Sequence, residues 1–316
     1  MNDNNPYILV LGASIVDIFG FCGRSYAQRD SIPGHIKISF GGVCRNIAEN
    51  LARVGVNTQF ISTLGDDENG KSILEHSKKF GYNMENSLFL EGESTPTYLA
   101  ILNHQGEMES AVVDMESLNK MDERFVDEKH EIFENAEYTI VDSDNPALLE
   151  YILKKYQGKS KFILDPVSAK KAKKIRHLIK YFHTIKPNRF ETEALCGFKI
   201  ETNDDLRKAG RFFIEQGVKN VFISLDADGI YYITSEGEEG TLACCEAIEV
   251  KNVTGAGDSF VAGIGYGYMN NLNIKDTLKY SVAMSIITIT HEETINPKIS
   301  HELVEDLVNR TKWREN

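Results

Sequence analysis

Apolar runs too short to be helices, separated by stretches of helical spacing, leave this 316-residue chain few architectures. Tyr7-Ile8-Leu9-Val10-Leu11 is apolar throughout and stops at Gly12, as expected of a strand buried on both faces. Similar runs recur at Tyr138–Val141, 162–164, Thr184–Ile185 and 221–225, with helical stretches between them. A strand that returns parallel to its predecessor needs a crossover, and crossover helices cover the sheet. The expected fold class is therefore α/β, a doubly wound, mostly parallel sheet flanked by helices. Helices are expected over 46–54 and 70–80, closed by Gly55 and Gly81. A strand is expected over 58–64, and 97–103 with 107–113 flank His104-Gln105-Gly106 as a hairpin. Ile230–Thr234 and 242–250 read as strands near one sheet edge, and 259–310 as helices.

Charge narrows the partners. A net charge of -12 argues against a nucleic-acid or anionic-membrane surface, either of which wants a basic face. Cys22, Cys44, Cys196, Cys244 and Cys245 contain no Cys-x-x-Cys pair, so neither a disulfide framework nor a zinc site is indicated. The polar start Met1-Asn2-Asp3-Asn4-Asn5-Pro6 lacks the pattern of a signal peptide, and Asp17 interrupts the first apolar stretch well short of a membrane span. A cytoplasmic protein with a small-molecule partner is expected. The eight histidines show no metal-ligand spacing, and Lys170 to Lys174 reads as a solvated helix face.

Chemistry concentrates at Thr254-Gly255-Ala256-Gly257-Asp258, a glycine-rich turn and an acid placed directly before an apolar helix. Free backbone N–H groups and the positive end of the helix make such a turn attract an anion. An acid in the first turn is placed to take a proton from a hydroxyl attacking that anion. The same residues also suit an ordinary loop with an acidic first turn.

Gly41-Gly42-Val43-Cys44-Arg45-Asn46, Lys186-Pro187-Asn188-Arg189-Phe190-Glu191 and Gly255-Ala256-Gly257-Asp258 occur in this order over most of the chain. Together they resemble the ribokinase-like (PfkB) family of carbohydrate and nucleoside kinases. The resemblance implies one ribokinase-like domain over 1–316, with a small β lid from about 19–40 and 97–113 that supports a homodimer. It implies Asp258 as general base and Gly255, Ala256 and Gly257 as the anion hole. Asp17, following the first strand, would hold a sugar diol with Gly42, Asn46 and Ser14. Asn188 and Glu191 would organise Mg²⁺ near ATP. Ser224, Asp226, Gly229 and Thr254 would contact the nucleotide, although Asp226 stands where a glycine is frequent. Asn252 replaces a frequent Asp, in a neighbourhood where the family can host K⁺.

Ser31-Ile32-Pro33-Gly34, the block from Ser39 to Gly55, the block from Thr95 to Glu107 and Asp165-Pro166-Val167-Ser168-Ala169-Lys170-Lys171 narrow the resemblance to pseudouridine kinases. A uracil edge offers N–H donors and carbonyl acceptors, which Ser14, Thr97, Ser168 or Lys171 could meet. Ser168 and Lys171 suit a helix cap and an exposed lysine equally well. Other sugar or nucleoside acceptors, and a non-catalytic sensor, are the rival readings. Gly65-Asp66-Asp67-Glu68-Asn69-Gly70-Lys71-Ser72 matches the P-loop pattern, but its three acids would fill the cradle that must hold phosphate, so it is read as a turn.

Overall fold

A computed structural model describes residues 5–316; the first four residues of the polar amino terminus lie outside the described residues. The strands are β1 (Ile8–Leu11), β2 (Ile15–Cys22), β3 (Gly34–Gly41), β4 (Thr58–Ile61), β5 (Thr63–Gly65), β6 (Leu88–Leu90), β7 (Thr97–Leu102) and β8 (Met108–Asp114). They continue with β9 (Tyr138–Val141), β10 (Lys161–Leu164), β11 (Thr184–Ile185), β12 (Asn220–Ser224), β13 (Ile230–Thr234), β14 (Glu239–Cys244) and β15 (Trp313–Glu315). Nine of them form one sheet in the order β15-β14-β13-β12-β11-β10-β9-β1-β4. From β12 to β4 the pairing is parallel, and β13 to β15 extend the sheet antiparallel.

Alternation along each strand feeds two apolar layers. Ile8 and Val10 of β1 pack with the helices Val43–Arg53, Ala256–Met269 and Ile274–Ile289 on one face. Leu9 and Leu11 point to the other face, with the helices Pro146–Lys155, Arg189–Cys196 and Asn203–Glu215. Covering both faces leaves polar chemistry to the strand ends, where the crossover loops open. A second sheet, β3-β2-β7-β8, shares no strand with the first and packs Val16, Ile18 and Phe40 against its core.

Two sequence expectations are corrected, and the structure adds two features that the sequence pattern did not specify. The strand expected over 58–64 breaks at Ser62, whose N–H binds Ser87 Oγ and whose hydroxyl accepts from Ser14 N–H, so β4 and β5 enter different sheets. The strand expected over 242–250 ends at Cys244, after which Cys245 N–H turns to Lys312 O and 245–250 pairs with no strand. The terminal β15 was not expected, because three residues carry too little pattern to register. Asp17, expected after the first strand, lies within β2 of the smaller sheet, because a new strand starts four residues after β1 ends.

Candidate active site

The parallel strands deliver their polar residues to one crevice. Gly12 to Ser14 follow β1, Asp142 follows β9, Asp165 follows β10, Lys186 follows β11, and Ser224 closes β12. The helix Ala256–Met269 points its amino end at the same place. Gly255 caps that helix in the left-handed region (φ 84), where a Cβ would sit 2.2 Å from Thr294 O. Only glycine fits there. No side chain caps the helix, and the N–H groups of Gly255, Gly257 and Asp258 have no acceptor among the described residues. The Ala256 N–H, expected from the sequence to join them, instead donates to Val253 O at 3.3 Å, because the turn closes on itself.

Asp258 lies beside these amides, and Asn46 Nδ2 donates to its Oδ2 at 2.7 Å. Burial pushes the Asp258 carboxyl up to about 7, and the charge of Asp165 adds to the effect, while Asn46, Lys186 and Arg45 oppose it. A carboxylate so placed is a competent base near neutral pH. Asn46 is itself fixed from behind. Its Oδ1 accepts a short hydrogen bond from Arg45 Nη2, and Arg45 Nη1 donates to Glu49 Oε2 at 2.6 Å. Glu49 also takes Arg53 Nε at 2.8 Å and meets His76 Nε2 at 2.8 Å. Burial works to raise the Glu49 carboxyl, but the His76 hydrogen bond and the charges of Arg45, His76 and Arg53 hold it at about 2.

Asp17 stands on β2, and a Cβ on Gly41 would meet its Oδ2 at 2.2 Å. The glycine at 41 thus makes room for the Asp17 carboxylate. Burial raises the Asp17 pKa, against the lowering charge of Arg45. Gly42 (φ 101) crosses the carbonyl of Ala13, and the neighbouring Ser14 hydroxyl is buried with no partner among the described residues. Thr97 begins β7, where its neighbour Val16 precedes Asp17.

Asn188 and Glu191 form a capping box at the helix Arg189–Cys196, each side chain binding the other's backbone N–H at 2.9 Å. Glu191 is buried, which raises its pKa, as does the nearby charge of Asp165. Asn188 pairs with Ser224 across the strand ends. Asp226, noted in the sequence for replacing a glycine, adopts φ 52, and Gly229 adopts φ 92. Aspartate is among the few side chains that tolerate this region, which explains how the exchange is accommodated. Thr254 N–H is taken by Asn252 Oδ1, whose amide donates to Glu292 O. Ser168 caps the helix Ala169–Lys174, and Lys171 Nζ binds Asp144 Oδ1 at 2.5 Å beside the end of β9. In the P-loop look-alike, Asp67 itself accepts from Gly70 N–H, Thr95 N–H and the Thr95 hydroxyl. Its own carboxylate fills the place of a phosphate.

Residues 5–301 match the pfkB family carbohydrate kinases. The chain belongs to the pfkB family. As a family member it is a sugar or nucleoside kinase. It is 33% identical over 303 residues to the pseudouridine kinase of Escherichia coli strain K12, covering 96% of both chains. A solved structure from Clostridium perfringens, described only as a presumed sugar kinase, is 60% identical with a TM-score of 0.96, over 99% of this chain and 98% of that one. The Arabidopsis thaliana ribokinase solved with ribose and ATP shares the fold at 21% identity and a TM-score of 0.82, over 96% of this chain and 98% of its own. Sequence reading of this pfkB chain missed Asp165 and Lys186 as site residues, and gave Arg45 no role of its own. Lys186 carried a signal, since a lysine closing an apolar strand before Pro187-Asn188 faces a strand-end crevice.

Proposed function

We propose that this kinase transfers the γ-phosphoryl of ATP to the 5′-hydroxyl of pseudouridine, giving pseudouridine 5′-phosphate and ADP. One observation supports the reading above all: a carboxyl titrating at about 7 lies in the same helical turn as free backbone donors. Base and anion site side by side suit phosphoryl transfer to an alcohol. The choice of pseudouridine rests on the similarity to the Escherichia coli enzyme.

In this reading the amides of Gly255, Gly257 and Asp258 receive the migrating phosphoryl, and Asp258 takes the hydroxyl proton. Asp17, Gly42 and Asn46 hold the ribose, while Ser14, Thr97, Ser168 and Lys171 face the base. Asn188, Ser224, Asp226, Gly229 and Thr254 line the nucleotide side. The likeness to a ribokinase that binds ATP is the support for ATP as donor. The donor set also fits Mg²⁺: no cluster of three or more protein ligands exists among the described residues, but the charge of Asp165 bears on buried Glu191, which a cation there would relieve. Mg²⁺ keeps most of its waters and takes few protein ligands. Glu191 and Asn188 would hold it, largely through water, and the ion would neutralise phosphate charge.

The second sheet would act as the lid. Cross-strand partners Ile38, Ile18, Leu99 and Val112 form an apolar row on its face away from Asp17, and Ile38 and Val112 are 61% and 64% exposed. Such a row suits a second copy of the chain, so a homodimer through the lid is proposed. A monomeric mass in sedimentation at micromolar concentration removes this part of the reading.

Coupled ADP release with pseudouridine, uridine, adenosine and ribose side by side tests the acceptor. Pseudouridine is expected to give the highest kcat/KM, and a preference for ribose overturns the narrower assignment. The acid limb is a second test. Protonated Asp258 cannot accept a proton, so kcat/KM is expected to fall about tenfold per pH unit below about 7. Asp142 is also raised, first by burial and then by the charge of Asp144. The limb is therefore expected to persist in Asp142→Asn.

A further inference from the structure

Lys186 is an almost fully buried cation whose donors are unspent. Its side chain is 7% exposed, and its nearest carboxylate oxygen, Asp165 Oδ2, is 3.7 Å away. An ammonium committed to a carboxylate sits closer, near 2.7–2.9 Å in typical pairs. Lys186 Nζ makes no hydrogen bond among the described residues, Asp165 Oδ2 lying beyond hydrogen-bond reach. A buried charge with unmet donors is costly unless something else uses them.

Its position indicates the user. A Cβ built on Gly257 would lie 2.8 Å from Lys186 Nζ, so the ammonium stands directly over the glycine whose N–H is free. Any side chain at 257 would occupy the gap between them. Lysine and amide thus face one small space from two elements far apart in the chain, the end of β11 and the amino end of the helix Ala256–Met269. Asp165 is the carboxylate beside the ammonium, and the charge of Lys186 is also felt at Glu191 and Asp258.

We propose that Lys186 is a catalytic residue that donates hydrogen bonds to the migrating phosphoryl group, opposite the Gly257 amide. The inference rests on the kinase reading above. In the step, a bond forms between the acceptor oxygen and the γ-phosphorus, and the bond from that phosphorus to the bridging oxygen of ADP breaks. The hydroxyl proton passes to Asp258, and Lys186 keeps its protons throughout. Its contribution is fixed positive charge where negative charge is redistributed, which costs no reorganisation during the step. A merely structural lysine, neutralising Asp165 and nothing else, would stabilise the fold without distinguishing ground state from transition state.

The full chain and its Lys186→Met and Lys186→Arg variants are compared with ATP, Mg²⁺ and the preferred acceptor. ADP binding is measured by calorimetry with and without fluoroaluminate, a planar mimic of the migrating group. In Lys186→Met, kcat is expected to fall by about two to three orders of magnitude, with acceptor KM and ADP affinity within about threefold of the parent. The tightening of ADP by fluoroaluminate is expected to weaken about tenfold or more. Lys186→Arg, which keeps a cation, is expected to recover part of both. Parental kcat in Lys186→Met, or parental fluoroaluminate tightening despite a lower kcat, overturns the proposal. Should Lys186→Met not fold, Lys186→Gln carries the same readouts. A parent that releases no acceptor-dependent ADP from any acceptor overturns the kinase reading, and this proposal with it. An active parent with an unaffected methionine variant overturns the role of Lys186 alone.

Discussion

Asp258→Asn is expected to lower kcat by about two to four orders of magnitude, the range for a lost general base, while acceptor binding stays near parental. That corresponds to about 3–5 kcal/mol of transition-state stabilisation. Stability should not fall with it. The folded carboxyl titrates at about 7, above the ordinary aspartate value of 3.8, so its stabilising contribution is present at low pH and lost as pH rises through about 7. At pH 8 the parent therefore carries an ionised carboxylate in a place that disfavours it. Asparagine removes that charge and can turn its carbonyl to Asn46 Nδ2, so the melting temperature is expected to match or exceed the parent's. Loss of activity with loss of fold, or turnover near parental, removes Asp258 from the proposed mechanism. Steady-state kinetics and thermal melting on one preparation decide it.

Glu49→Ala is expected to cost about 3–5 kcal/mol of folding stability, the usual result of deleting one partner of a buried ion pair. The Glu49 and Arg45 side chains are 3% and 4% exposed, and Arg53 and His76 converge on the same carboxylate. Removing it leaves Arg45 buried with an unmet charge. The sign with pH follows from the lowered pKa. Glu49 contributes fully above its unbound value of 4.5, and that contribution is lost as pH falls towards about 2. Denaturant unfolding at pH 7 should show the full difference between parent and variant, and the difference should shrink as pH falls below about 4.5. Activity should fall as well, since Arg45 fixes the Asn46 amide that holds Asp258. A variant with parental stability at pH 7 would show that the guanidinium finds another partner.

Local chemistry was legible from residue order alone. Gly255 before an apolar helix with an acid at 258 specifies an open helix terminus, because backbone conformation and first-turn charge are local properties. The alternating apolar runs likewise specify the doubly wound sheet, since burial on both faces leaves a strand no polar positions. The misjudged elements were those where side chains replaced ladder bonds, as at Ser62, or where a segment was too short to carry a period, as at Trp313–Glu315. At Ala256 the turn's own closure to Val253 withdrew a donor that the motif alone would count as free.

What residue order determined by itself, then, is the layered sheet, the open helix terminus and the acid beside it, each set by interactions within a few residues or by the burial pattern of one strand. The tertiary structure alone decided which groups meet there. Asn46 reaches Asp258 across 212 residues, and Lys186 comes to Gly257 and Asp165 because β10 and β11 are neighbours that end at one edge. Those distances depend on strand order and helix placement, and no local pattern encodes them, because contacts between distant segments follow from how the whole core closes.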